Sequence, residues 1–223
     1  MTFGNSAYGG PAVPATSALE PPNTKSAGFR VGRQIAVRFL LIIWLIHVIN
    51  VVVFRGGLAY FGIQPLDVPT ILHIFSAPLI HGSWQHIIAN STGAIFAFLV
   101  GYSGRRVFWE VTLISMVVGG LGTWLTGGQG IHVGASGVIY GWLGYLVIRG
   151  IFNRSWTQIL LGIVLSISFS SMVWGVFPTA GANISWQGHM WGAIGGILAG
   201  AFITSDDPPK LRAKRQQQRL ERK

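Results

Sequence analysis

The sequence contains no cysteine, and it is poor in charged residues. The absence of cysteine excludes disulfide bonds, thiolate catalysis and cysteine-ligated metals. Charged residues make up 10% of the 223 residues, and 50% of the residues are hydrophobic. Because soluble domains carry about 25% charged residues, this composition indicates a protein embedded in a lipid bilayer.

Acidic residues are the scarcest charged type, and their positions exclude two chemistries for work inside a membrane. All six lie in a terminal segment, in a loop or at the edge of an apolar run: Glu20, Asp67, Glu110, Asp206, Asp207 and Glu221. An intramembrane pair of aspartates sharing a proton is therefore absent. The chain also lacks an H-E-x-x-H motif, so the corresponding zinc chemistry is excluded, and we expect no metal or other cofactor.

Six apolar runs are long enough, or nearly so, to cross a hydrocarbon core that requires about 20 helical residues. They cover residues 36–54, 82–102, 107–126, 135–149, 156–177 and 186–204. The sequence therefore predicts an all-α, polytopic membrane protein with a six-helix core over residues 35–204. The Gly-, Pro- and Ser-rich residues 1–34 are expected to form a disordered cytoplasmic tail, and residues 205–223 a basic cytoplasmic tail.

The 16 basic residues indicate how these runs are oriented. Lys and Arg gather on the cytoplasmic side of membrane proteins. Here they occupy both terminal segments and the second and fourth gaps between runs, whereas the other three gaps hold only Arg55. Both termini are therefore expected in the cytoplasm. Six crossings agree with this, because an even number places both termini on the same side. Since the positive charge follows this pattern, it indicates a lipid bilayer and not nucleic acid as the partner, and the lack of a targeting segment favours a bacterial cytoplasmic membrane.

Two clusters of polar residues lie inside the apolar runs, where unpaired polar groups are costly and a function is the first hypothesis. In H-G-S-W-Q-H-I-I-A-N, His86 and Asn90 share one helix face, and both can donate hydrogen bonds to an oxyanion. In G-A-S-G, Ser136 falls in the first turn of a helix, where unpaired N–H groups favour negative charge. Each cluster alone is also explained by helix packing.

A third cluster, G-H-M-W-G-A-I-G-G, places His189 near the start of the last run. Gly192 and Gly196 form a ridge of small residues that lets another helix approach closely, so a helix carrying Ser136 can come within hydrogen-bond reach of His189. From the helix rise of about 1.5 Å per residue, Ser136, His189 and His86 fall at similar depth in the outer third of the bilayer. This convergence favours one water-accessible site.

The three clusters, in this order and on these runs, resemble the motifs of the rhomboid family of intramembrane serine proteases. The resemblance covers residues 36–204. It implies that Ser136 attacks the scissile carbonyl, that His189 takes its proton and returns it to the leaving amine, and that the Ser136 N–H, His86 and Asn90 hold the oxyanion. It also implies that the substrates are transmembrane segments of other proteins, cleaved near the outer face of the bilayer.

Other positions fit the family less uniformly. Tyr140 matches an aromatic residue that often supports the catalytic histidine, and His81 matches a structural histidine of the loop. Many bacterial rhomboids carry Trp-Arg in the first external loop where this chain has Leu72-His73. His47, His73 and His132 have no family role and are interpreted as packing or loop residues. An alternative is a catalytically inactive relative that binds membrane clients, although both dyad residues and both side-chain oxyanion donors are present. A transporter or channel would need inverted repeats or charged residues at mid-membrane, and neither is found.

Overall fold

The computed structural model describes residues 24–181 and 184–221, and within them the regular structure is helical. The α-helices of this part are α1 (Thr24–Val52), α2 (Trp84–Ser91), α3 (Gly93–Tyr102), α4 (Arg105–Thr126), α5 (Ser136–Asn153), α6 (Trp156–Ser168), α7 (Trp186–Phe202) and α8 (Pro209–Glu221). Short 3₁₀ helices occupy two long connections, at Gly57–Phe61, Val68–Ile74 and Ala77–Leu79 before α2, and at Ser170–Val176 and Pro178–Ala180 before α7. The predicted all-α class is confirmed for the described residues.

Helix α7 packs between α4 and α5, and glycines form both contacts. On one side, a Cβ atom added to Gly192 or Gly196 would collide with the backbone of α5, at Gly137 and Gly141 respectively. On the other side, a Cβ atom added to Gly195 would lie 2.9 Å from the backbone of α4. Small residues allow helix backbones to approach this closely, so the glycine ridge predicted on α7 accommodates two neighbours.

Helix α1 begins at Thr24, whereas the sequence predicts a disordered tail over residues 1–34. Gly28 and Gly32 explain the difference, because they lie directly against α3. Cβ atoms added to them would come within 2.7 Å and 2.6 Å of backbone carbonyl oxygens of α3. This contact supports helical structure in the last residues of the predicted tail, and residues 1–23 lie outside the described part of the chain.

Two of the predicted runs are interrupted. The second run is divided at Thr92 into α2 and α3, and the fifth run ends in the 3₁₀ helix Ser170–Val176, which is bent by 73° from α6. Among the described residues, Lys25–Val52 and Arg105–Thr126 are each long and apolar enough to cross a membrane, and the bent pair would add a third span. These helices support a membrane protein, and the count of six crossings stays a prediction.

A buried ionic cluster joins α5 to the segment that follows α7. Arg149 is 2% exposed, and its guanidinium forms ion pairs with Asp206 and, at 2.9 Å, with Asp207. Tyr145 donates a hydrogen bond of 2.7 Å to the Asp206 carboxylate, and Arg215 of α8 pairs with Asp207 at 3.3 Å. The sequence alone assigns both aspartates to a tail, whereas here they complete the packed bundle.

We expect Gly196→Ala to lower the free energy of unfolding by roughly 1–3 kcal/mol, the usual cost of overpacking, because the new methyl group would meet the backbone of α5 at Gly141. Gly57→Ala is the control, since nothing lies within 4 Å of the position that its Cβ would occupy. Thermal and denaturant unfolding in detergent, followed by circular dichroism, compares the two variants. Equal stability of both would contradict the close contact of α5 with α7.

Candidate active site

The three polar clusters of the sequence meet at one open cavity. Its volume is about 760 Å³, which falls within the range of small-molecule and peptide sites. Residues from all three clusters line it: His86, Asn90, Ser136, Tyr140 and His189. The structure therefore brings together the four site residues predicted from the sequence and the aromatic residue beside them.

Ser136 and His189 lie within hydrogen-bond distance of one another. Ser136 is the first residue of α5 and His189 lies in the first turn of α7, and the Ser136 Oγ atom is 2.8 Å from Nε2 of His189. The glycine contact between Gly137 and Gly192 lies directly beside this pair and brings the two helices together. Such a pair has the geometry of a nucleophile with its general base.

The far side of the His189 ring is held by two further contacts. Its Nδ1 atom lies 3.0 Å from the carbonyl oxygen of Gly175. Tyr140 stacks on the imidazole, with ring centroids 4.2 Å apart and planes 12° apart, and its hydroxyl donates a hydrogen bond of 2.8 Å to the Met172 carbonyl. Tyr140 therefore lies where the family resemblance implies an aromatic support for the histidine.

His86 and Asn90 lie on the helix face that their spacing predicts. Ser83 caps α2 by accepting a hydrogen bond of 3.1 Å from the His86 N–H, as serine commonly does at this position. One N–H of the Asn90 amide donates to the His86 carbonyl at 2.9 Å, and an amide has a second N–H for another acceptor. The start of α5 supplies a third donor, because first-turn N–H groups have no intrahelical acceptor.

Gly134 makes room for the His86 ring beside Ser136. Its φ angle is +116°, a conformation that residues with a side chain rarely adopt, and an added Cβ atom would collide with the imidazole. The glycine that opens the G-A-S-G motif therefore leaves room for the His86 ring, which lines the cavity.

His132 ties the loop before Ser136 to the start of α7, although the sequence assigns it no role. Its Nδ1 atom is 2.7 Å from the Ser185 hydroxyl, and Ser185 in turn caps α7 by accepting a hydrogen bond of 3.3 Å from the Gly188 N–H. The capping signal of Ser185, three residues before Gly188, could have been read from the sequence. Its partner on a distant loop could not.

The other histidines, His81, His47 and His73, contact other parts of the protein. His81 is buried, and its ring lies 5.1 Å from that of His86 and 6.4 Å from that of His47. His73, in the connection before α2, contacts the Gly62 carbonyl through Nδ1 at 3.0 Å. His73 therefore links two parts of the connection between α1 and α2.

Comparison with known proteins gives matches along most of the chain. A model of the rhomboid domain matches residues 69–206. An uncharacterized protein of Mycobacterium tuberculosis strain H37Rv is 34% identical over 214 residues, which cover 92% of this chain and 86% of the relative. An uncharacterized protein of Mycobacterium leprae is 32% identical over 204 residues, covering 87% and 80% respectively. A Bacillus subtilis protein named "Putative rhomboid protease YdcA" is 29% identical over 130 residues, covering 54% and 61%.

We expect Gly134→Ala to destabilise the protein by roughly 1–3 kcal/mol, the usual cost of holding a residue with a side chain in a sparsely populated backbone conformation. Gly82→Ala, at the rim of the same cavity, is the control, because nothing lies within 4 Å of its added Cβ. Unfolding midpoints in detergent provide the measurement. A midpoint for Gly134→Ala as high as that of the control would show that the backbone at position 134 and the neighbouring His86 ring accommodate a side chain.

Proposed function

This chain belongs to the rhomboid family, and from that premise we propose that it is an intramembrane serine endopeptidase. It cleaves transmembrane segments of other membrane proteins near the outer face of the bilayer. The observation that carries this proposal is the 2.8 Å contact between the Ser136 hydroxyl and Nε2 of His189. It occurs at a cavity large enough to admit water and a stretch of unwound peptide.

The proposed reaction uses Ser136 as the nucleophile. Its hydroxyl attacks the scissile carbonyl while Nε2 of His189 takes the proton, and the imidazolium then returns this proton to the leaving amine. A water molecule then attacks the acyl carbonyl while Nε2 of His189 takes its proton, and the imidazolium returns this proton to the Ser136 oxygen as the ester bond breaks and the acid product leaves. Two helices deliver the reacting groups, so the chemistry depends on the packing of α5 against α7.

Three donors are proposed to stabilise the oxyanion that forms during each step. They are the backbone N–H of Ser136 at the start of α5, the His86 imidazole and the free N–H of the Asn90 amide. All three residues line the same cavity, and donors fixed before the reaction stabilise developing charge at little reorganisation cost. The removal of one such donor typically lowers kcat by about 100- to 1000-fold.

The apolar exterior supports the proposed location in a bilayer. Large side chains on α1 and α6 remain exposed, among them Leu41 at 64%, Leu45 at 62% and Ile167 at 71%. Contiguous apolar surface of this kind is rare on proteins surrounded by water. We propose six crossings of a bacterial cytoplasmic membrane with both termini in the cytoplasm, in accord with the basic residues of the terminal segments.

We expect Ser136→Ala and His189→Ala to abolish cleavage of a reporter with a single transmembrane helix, because each removes one member of the dyad. Ser171→Ala, an exposed serine of the connection before α7, is the control and should cleave at the wild-type rate. Fragments are detected by gel electrophoresis and mass spectrometry after co-expression. A fluorophosphonate should also label the wild-type protein at Ser136 and leave Ser136→Ala unlabelled.

Cleavage by Ser136→Ala at the wild-type rate would contradict the proposed mechanism. A wild-type protein that binds the reporter helix and yields no fragment would favour the inactive, client-binding alternative.

We expect single-cysteine variants to report the proposed orientation, since the natural chain has no cysteine to give background labelling. Leu66→Cys in the first external loop should react with a membrane-impermeant maleimide in intact cells. Lys214→Cys on α8 should react only after the cells are permeabilised. The opposite pattern would place the termini outside the cytoplasm.

A further inference from the structure

The 3₁₀ helix Ser170–Val176 holds both rings of the Tyr140–His189 stack through its backbone. The Gly175 carbonyl lies 3.0 Å from Nδ1 of His189, and the Met172 carbonyl accepts the Tyr140 hydroxyl at 2.8 Å. These acceptors are one turn apart on the same short segment. The orientation of the imidazole therefore depends on where this segment lies.

The Gly175 contact determines which nitrogen of His189 carries the proton. A carbonyl oxygen can only accept a hydrogen bond, so Nδ1 must donate. A neutral imidazole protonated at Nδ1 has its lone pair on Nε2, and Nε2 is the atom 2.8 Å from the Ser136 hydroxyl. The backbone contact thus selects the tautomer that can act as a base.

Only glycine fits at position 175. A Cβ atom added there would lie 3.0 Å from the Cζ atom of Tyr140 and 3.1 Å from Nδ1 of His189, and closer still to the Tyr140 hydroxyl. Such distances are shorter than ordinary van der Waals contacts, so a side chain would force the Gly175 backbone and the two rings apart. The lack of a side chain is what allows the backbone to reach the ring.

We propose that the Gly175 carbonyl is the positioning group of the dyad, which keeps the proton on Nδ1 of His189 and Nε2 directed at Ser136. A carboxylate fills this place in Ser-His-Asp enzymes, where it orients the imidazole in the required tautomer. In the part of the chain that the structure describes, the side-chain hydrogen-bond partners of His189 are Ser136 and Gly175. This inference rests on the proposed protease function.

The 3₁₀ helix is consequently coupled to the dyad. Outward movement of Ser170–Val176 would withdraw the acceptors of His189 and Tyr140 together, because both belong to one short 3₁₀ helix. The stack would lose its anchor and the imidazole its tautomer preference. Alignment of the base therefore requires this segment to be docked.

The first test uses the wild-type chain and needs no activity. The full-length protein is labelled with ¹⁵N at its histidines, and the His189 signals are assigned by their loss in His189→Gln. At mildly alkaline pH we expect the shift pattern of an imidazole protonated at Nδ1 and bare at Nε2. A ring protonated at Nε2 alone would overturn the inference.

The second test is Gly175→Ala, which we expect to lower kcat on the order of a hundredfold, the loss that a misplacement of about 1 Å can cause, with KM little changed. The ¹⁵N spectrum should lose the Nδ1-protonated pattern in parallel. Gly57→Ala is the matched control, since it makes the same substitution where nothing lies within 4 Å of the added Cβ, and it should retain wild-type kcat and spectrum.

A wild-type kcat in Gly175→Ala, or a loss of kcat with an unchanged tautomer, would overturn the positioning role. Failure of the wild-type protein to cleave any more than Ser136→Ala would count against the protease function itself. The tautomer measurement would still decide whether Gly175 orients His189.

Discussion

The side-chain-free contact between α5 and α7 is the constraint on which the rest of the structure depends. Helix axes in proteins usually lie about 8–10 Å apart because side chains separate them. Here Gly137 faces Gly192 with no room for a methyl group between the backbones. Ser136 precedes the first glycine and His189 lies one turn before the second, so this contact sets the 2.8 Å distance between their side chains. The distance between these two side chains is therefore fixed by main-chain packing.

Features that depend on local spacing could be predicted from the sequence. The four-residue interval of His86 and Asn90 places both on one helix face, and the interval of Gly192 and Gly196 produces a ridge that meets a neighbour. Helix α1 extends further towards the N-terminus than the predicted run 36–54, because the polar start of the helix, around Gly28, is supported by packing on α3. Gly28 and Gly32 have the same four-residue spacing as Gly192 and Gly196, so this contact does leave a signal in the chain, one that the predicted boundary at residue 35 leaves out.

Interactions between distant segments could not be predicted, because nothing in the sequence near one partner indicates the other. Asp206 and Asp207 look like solvated residues of a polar tail, and their pairing with Arg149 spans more than fifty positions. The acceptor for Nδ1 of His189 is a backbone carbonyl. Every residue has this group, so the residue type does not indicate which carbonyl will accept the hydrogen bond. The bend between α6 and the segment Ser170–Val176 brings that carbonyl to the ring, and the apolar run gives no sign of it.

The ionic cluster of Arg149 restricts sliding along the helix axes. Arg149 shares α5 with Ser136, and Asp206 follows the helix that carries His189. The Arg149–Asp206 ion pair and the Ser136–His189 contact therefore join the same two elements at two points. A shift of α5 by one residue along its axis, about 1.5 Å, would disturb both contacts at once. The axial register of the serine and the histidine is consequently held at two points along α5, one at each end of the helix.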